Sequence, residues 1–462
     1  MKDSIRKKTT AKHKNKLGFI DPSVAGIDIG QKLIHVSIPN QTGGTRVVEY
    51  GTLTPDLFQI ATDLKNANVT TAVMEATGVY WIPLYEILED HHFTAVLVDA
   101  KSVHNVPGRK SDVIDCQWIQ TLYSNGMVRA AFRPKKCRIK LRSYVRTRMA
   151  IAKNRQYALL HMEKALQLMN IKLSTALSDI GGMTGLKIIR AIVAGERDPC
   201  VLANLRSQGC KQPHHVFIGA LTGNFQDEHV HSLRFALGLY DFVQQQLIDC
   251  DKLIFSELET YPDIRVTPIP VRDKDLRSNG KYKAPTKPKK NALNFDPRSI
   301  LWRKAGIDLT AIPGIDSSTA LLIFAELGGT DMSSWKSVKE FSSWLKLCPG
   351  NNISGGKRRK SQRQACKNYI SQALRMSALS AKHSKSSVGA YIRRISGRTD
   401  KLKGIKAGAH KLARMLYFMC KNGWLYYEQG ERAYEKEHQK RVLKNLSKRA
   451  KELGFKLVPA VG

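Results

Sequence analysis

The chain lacks several signatures that would place it early. Its eight cysteines (116, 137, 200, 210, 250, 348, 366 and 420) include no C-x-x-C pair, so neither a zinc knuckle nor a disulfide framework is indicated. A reducing cytoplasm fits that pattern. No apolar run approaches the roughly 18 to 20 residues that span a bilayer, and the longest, such as 320–325, are core-sized. The opening stretch MKDSIRKKTTAKHKNK is charged and leads into no apolar segment, which excludes a secretory signal and leaves a basic arm over residues 1–17. No internal repeat is visible. Acidic residues are scarce, 39 against 75 Lys+Arg in 462 residues, for a net charge of +36. A soluble protein that carries such self-repulsion usually meets a polyanion. Nucleic acid leads, and the absence of a spanning segment puts a membrane surface second.

The charge is unevenly spread. Between Gly18 and Lys136 the balance is −2, which leaves +38 on the remainder. A passive binder has little need of a near-neutral module inside a basic chain. An active site that holds cations among carboxylates, flanked by phosphate-gripping surfaces, would produce one.

That module alternates strands and helices. Residues 24–30, 32–38 and 45–53 read as three sequential antiparallel strands. Helices are expected at 55–67 and 81–88, and strands at 70–76 and 94–100. A last helix runs from Asp112 to about Ser124, with Ser111 as its cap. The order βββαβαβα is that of an α/β RNase H-like domain, assigned to residues 18–136. Beyond it the pattern is mostly helical. Val145, Ala152, Leu159 and Leu166 recur every seven positions in a helix over 138–170, and a second apolar stripe runs from His231 to Tyr261. Over residues 137–265 this gives an antiparallel pair, a coiled-coil dimerisation arm or an ordinary buried bundle. Residues 266–305 form a basic linker, densest at 271–290, and 426–462 a basic helical tail.

Four acidic residues stand at strand and helix ends of the module: Asp28, Glu75, Asp112 and Asp115. Neighbouring strands lie about 4.8 Å apart and an i,i+3 pair shares a helix face, so the four can converge at one sheet edge. Two divalent cations about 3.5 to 4 Å apart would relieve their repulsion and clamp the oxygens of a phosphodiester. Hard oxygen ligands make magnesium the default. Each acid also has a plainer role, Asp28 as a turn residue and Asp112 as a favourable helix-start charge.

Two further motifs follow. LTAIPGIDSSTALLIFAEL (309–327) has the pattern of a helix-hairpin-helix, whose turn at Gly314 could hold a phosphate through backbone N–H groups. In LKLCPGNNISGGKRRKSQRQACKNYISQALRMSA (345–378), Ser354 precedes Lys357, Arg358, Arg359, Lys360 and Arg363, a density of cations suited to a phosphate backbone. Read alone, the serine is a turn residue.

GIDIG, VMEATGVYW and KSDVIDCQWI resemble the three acidic motifs of the DEDD transposases of bacterial insertion sequences, the insertion-sequence-one-ten family. Ser111 and Cys116 stand where that family usually has Thr and Ala. The stretch around Ser354, with SVGAYIRRISGR and AHKLARMLYFM after it, is similar to the family's C-terminal transposase domain, here residues 306–425. The resemblance implies a DNA recombinase that excises and inserts its own element. It implies two magnesium ions on Asp28, Glu75, Asp112 and Asp115, and Ser354 as nucleophile. Its partners would be double-stranded donor and target DNA, a structured bridge RNA, and further copies of the chain in a dimer or tetramer. The expected location is cytoplasmic and nucleoid-associated. Two rival readings of the same residues are a hydrolytic junction nuclease with water as nucleophile, and a non-catalytic nucleic-acid chaperone.

Overall fold

The computed structural model describes residues 21–40, 44–76, 78–99, 103, 112–272, 275, 291–348, 352–354, 357–359 and 368–458, with the side chains of 112–114, 352–354 and 357–359 excepted. The basic arm at 1–17, the Ser111 cap, most of the basic run at 271–290, Lys360 and Arg363 lie outside the described residues. The chain divides into two compact units, residues 1–133 and 134–462.

The first unit is built on alternation. Its elements are β1 (Val24–Ile29), β2 (Ile34–Pro39), β3 (Thr45–Tyr50), α1 (Thr54–Asn66), β4 (Thr71–Glu75), α2 (Trp81–Asp90), β5 (Thr94–Val98) and α3 (Asp112–Ser124). They form one five-stranded sheet in the order β3-β2-β1-β4-β5. The pairs β1–β2 and β2–β3 are antiparallel, whereas β4 runs parallel to both β1 and β5. A mixed sheet with flanking helices agrees with an RNase H-like α/β domain. Successive side chains leave a strand on opposite faces, and both faces here are apolar. Ala25, Ile27, Ala72 and Met74 pack with Leu57, Ile60 and Leu64 of α1 and Leu84 and Leu88 of α2. Val24, Val73, Val96 and Val98 meet Ile119 and Leu122 of α3 on the other side.

The second unit opens with α4 (Lys136–Leu168), continues through the short helices α5 (Leu173–Ala176), α6 (Met183–Ala194), α7 (Pro199–Asn204) and α8 (His214–Leu221), and returns along α9 (Asp227–Glu259). The long helices are antiparallel: Tyr144 O accepts from the Cys250 thiol, Arg148 pairs with Asp251, and Arg155 donates to Gln244. The expected pair is present, and α9 begins four residues before the expected His231. What covers the stripes differs from a free dimerisation arm. Leu159, Met162 and Leu166 of α4, Ile188 and Ile192 of α6, Phe217 of α8 and Leu233 and Leu237 of α9 share one buried cluster. The short helices supply this cover, so the stripe through Leu159 is satisfied within the chain as an ordinary bundle. Phe235, Leu239 and Phe242 of α9 stay exposed.

The rest comprises α10 (Pro297–Ala305), α11 (Ser317–Leu327), α12 (Val338–Trp344), the hairpin β6 (Asn352–Ser354) and β7 (Lys357–Arg359), then α13 (Tyr369–Ala381), α14 (Ser387–Arg398), α15 (Lys401–Asn422) and α16 (Gly430–Glu452). Asp296, Asp316, Asn368, Ser386 and Asp400 cap the helices that follow them with side-chain oxygens, as short polar residues at that position do. Buried Glu326 of α11 accepts from Arg142 at 2.9 Å and Arg146 at 2.6 Å, which ties α11 to α4. A full helix-hairpin-helix is not shown at 309–327. Asp308 draws Thr310 N and its hydroxyl into a three-residue 3-10 turn, Leu309–Ala311, so the Gly314 turn is entered from this turn and not from an α-helix.

Candidate functional site

The placement of the acids begins with a residue that has no side chain. Gly26 lies mid-strand in β1, and a methyl group there would run into the backbone oxygen of Cys116 and lie 2.7 Å from Gln120 Cβ. Glycine therefore admits α3 onto the sheet at backbone distance. Buried Gln120 fixes the contact, accepting from the Ser37 hydroxyl at 2.5 Å and donating to Val24 O at 2.7 Å. Gln117 adds a bond to Thr45 at 3.0 Å. With Gln120 over Val24 and Cys116 over Gly26, α3 runs antiparallel to β1. Its first turn, which holds Asp112 and Asp115, then lies toward the carboxyl end of that strand.

Asp28 stands at that end. It shares the parity of Val24 and Gly26, so it faces α3. Glu75 closes β4 with the parity of Val73 and faces the same way. The parallel register of β1 and β4 ends at Ile27 opposite Met74, one residue before both acids. Asp28, Glu75 and Asp115 are all half-buried. One thiol reports on two of them: burial pushes buried Cys116 up to about 12, and the negative charges of Asp28 and Asp115 add to the rise. Two carboxylates from separate elements thus act on a single sulfur. Among the described residues, no three of His, Cys, Asp and Glu stand close enough together to hold a metal ion. The Asp112 carboxylate lies outside those residues. As a donor set, three or four carboxylates suit a hard cation such as magnesium.

The sequence reading missed what aims these acids. Gly26 and Gln120 position α3. A glycine inside an apolar strand was the available signal. Nothing in the spacing pointed to the glutamine.

Ser354 ends β6, and its cross-strand partner is Lys357; Ile353 opposes Arg358 and Asn352 opposes Arg359. The hairpin therefore brings the backbone positions of the serine and three cations together. Gly314 has φ +86°, and a Cβ there would strike Ser377 O of α13. Packing and backbone conformation both explain that glycine, independent of any phosphate.

A family model described as a transposase, of the DEDD type of IS110, matches residues 25–171, a span that includes Asp28, Glu75, Asp112 and Asp115. A second, described as transposase IS116/IS110/IS902 family, matches residues 308–393, which include Gly314 and Ser354. No curated protein matches the chain.

Proposed function

The chain belongs to the IS110 family of insertion-sequence transposases, and from that premise we propose that it excises and inserts its mobile element by a serine-mediated strand transfer supported by the DEDD carboxylates. The observation that supports the reading is that Asp28 and Glu75 end neighbouring parallel strands on the face that α3 covers, toward the end of the sheet where the first turn of α3 lies. In this reading residues 18–136 are the RuvC-like catalytic domain and residues 306–425 the C-terminal transposase domain.

Asp28, Glu75, Asp112 and Asp115 would hold two magnesium ions. When bound, divalent cations supply charge neutralisation at a phosphodiester and ease loss of a proton from a nucleophile. The protein's own groups do the rest. The Ser354 hydroxyl loses its proton and its oxygen bonds to a DNA phosphorus, while the bond to the departing deoxyribose oxygen breaks and that oxygen takes up a proton. The phosphoserine diester conserves the energy of the broken one, so a second DNA hydroxyl can displace the serine without external energy. Lys357, Arg358, Arg359, Lys360 and Arg363 offset charge on the phosphoryl oxygens, and the Gly314 turn helps grip the backbone. A bridge RNA paired to donor and target would supply sequence, with the protein reading shape and backbone. Exchange needs at least two protomers, and exposed Phe235, Leu239 and Phe242 offer an apolar contact for a dimer or tetramer.

Incubation of the purified protein with end-labelled donor DNA, candidate RNA and magnesium tests the reading. A DNA strand covalently linked to the protein supports it. Free cut ends in place of an adduct would make Ser354 a bystander and the protein a junction nuclease, and intact DNA would leave a nucleic-acid chaperone.

A further inference from the structure

Three helices of the second unit bring cations together far from the serine hairpin in sequence. On α14, Tyr391, Arg394 and Arg398 share one face by i, i+3, i+7 spacing. On α16, Tyr434, His438 and Arg441 do so by i, i+4, i+7. Lys411 comes from α15. The Arg394 guanidinium lies 5.1 Å from the Tyr434 ring centre and 5.8 Å from that of Tyr391, and the Lys411 ammonium lies 5.0 and 4.7 Å from the same two rings. Two cations thus share two aromatic rings.

Like charges held together need an anion, and the carboxylates nearby are engaged elsewhere. Glu428 accepts from Ser387 N at 2.9 Å, Gly430 N at 2.8 Å and the Tyr426 hydroxyl at 2.5 Å. Glu431 is paired with Arg393. One guanidinium nitrogen of Arg394, Nη1, is shielded from solvent and has no hydrogen-bond partner among the described residues. A buried charged donor without an acceptor is unfavourable. The neighbours feel the same imbalance. Burial pulls Lys411 below the ordinary ammonium range, and Arg394 and Arg441 pull it further against the opposing charge of Glu428. Burial and the charges of Arg394, Arg441 and Arg398 likewise lower His438. Arg398 and Arg441 are exposed, so the cluster opens to solvent on their side.

We propose that this seam between α14, α15 and α16 is a binding site for a backbone phosphate of a nucleic acid, with Arg394 and Lys411 as its floor and Arg398, His438 and Arg441 as its rim. The tyrosine rings are already covered by cations, so they are not free platforms for bases. The site therefore grips phosphate without reading sequence. It rests on the reading that the protein handles nucleic acid and adds an anchor separate from the Ser354 hairpin.

The test uses the full chain with two charge-matched double variants. Arg398→Gln/Arg441→Gln removes the two arginines of the rim. Arg432→Gln/Lys436→Gln removes two exposed cations from the opposite side of α16. All four residues are exposed, so both variants should fold. Binding to a labelled DNA duplex and to a labelled RNA hairpin is measured across a salt series. The rim variant should lose about tenfold in affinity near 0.1 M salt, and its log–log salt slope should flatten by about 0.9 for the duplex, the value of one phosphate contact. The control should keep the parent slope. A loss confined to DNA or to RNA names the source of the phosphate, and a loss on both means that the site takes either. Equal losses in the two variants would show diffuse attraction and overturn the site, as would no loss in the rim variant. In the parent, NMR titration of His438 should move to higher pH when the oligonucleotide binds, because a phosphate cancels the neighbouring cations; an unmoved titration also overturns it. Both readouts are of binding, so a chain that binds in this way yet forms no DNA adduct refutes the catalytic reading alone.

Discussion

Gly26 of β1 and the Cys116 backbone oxygen of α3 are packed so closely that no side chain fits between them. This contact sets where the first turn of α3, with Asp112 and Asp115, meets the strand end that holds Asp28. Gly26→Ala should overpack the seam and destabilise the first unit by about 1–3 kcal/mol, with a lower urea midpoint and loss of DNA cleavage. Gly219→Ala is the control. It is helical and a Cβ there meets nothing within 4 Å, so stability should hold or rise by roughly 0.5–1 kcal/mol.

The carboxylates themselves give a second expectation. Asp28→Asn, Glu75→Gln, Asp112→Asn and Asp115→Asn should each keep nucleic-acid binding, since the cations lie on other segments, and each should lose cleavage. Magnesium should raise the parent's melting temperature, a linkage worth about 2.7 kcal/mol at a hundred times the dissociation constant. The rise should vanish in the variants. Cleavage by Asp112→Asn at the parent rate would remove that residue from the site.

Ser354→Ala should bind DNA and RNA as the parent does and form no adduct, whereas Ser361→Ala should remain active. Mass mapping of a trapped protein–DNA adduct decides between them: a linkage on any other residue refutes the nucleophile.

Cys116 predicts an alkaline signature. Its thiol is held protonated to about 12 in the folded protein against an ordinary 9.0. The native state therefore binds more protons than the unfolded chain between those values, and stability falls as pH rises through that window. Below pH 9 the contribution is fully present. Cys116→Ala should show a smaller fall in urea midpoint between pH 8 and pH 10.5 than the parent, and an identical fall would contradict the assignment.

Glu326 is the counter-charge of Arg142 and Arg146, with its own side chain 6% exposed and that of Arg146 40%. Glu326→Gln should cost about 2–3 kcal/mol, below the range of a fully buried pair because Arg146 is partly solvated. Thermal unfolding measures it, and a change under about 0.5 kcal/mol, the scatter of ordinary surface substitutions, would show the pair to be idle.

The first unit was legible because its strands are short, apolar and separated by turn residues, so the expected and observed boundaries differ by only a few residues. The four acids were legible as types at element ends. Their aim was not: it depends on Gly26 and Gln120, whose roles exist only once α3 crosses the sheet. The apolar stripe of α4 was read correctly as a helix face, but its partner was hidden. The helices α5 to α8, of 4 to 12 residues, are too short for periodicity to show. They nevertheless contribute Ile188, Ile192 and Phe217 to the cover over Leu159. At 309–327 the Pro-Gly turn was visible, whereas the Asp308 contacts that shape the 3-10 turn before it were not.

Helix α4 is one uninterrupted run of 33 residues, about 50 Å long at 1.5 Å per residue. Its early turns carry Arg142 and Arg146 to Glu326, and its late turns carry Leu159, Met162 and Leu166 into the bundle core. Both ends are therefore geared to one shaft. A single residue inserted between 147 and 157 would rotate one end against the other by about 100°, so the ion pairs and the core could not both stay engaged. Over that interval the length of the chain acts as a phase, and substitutions on the exposed face should be tolerated where insertions and deletions are not.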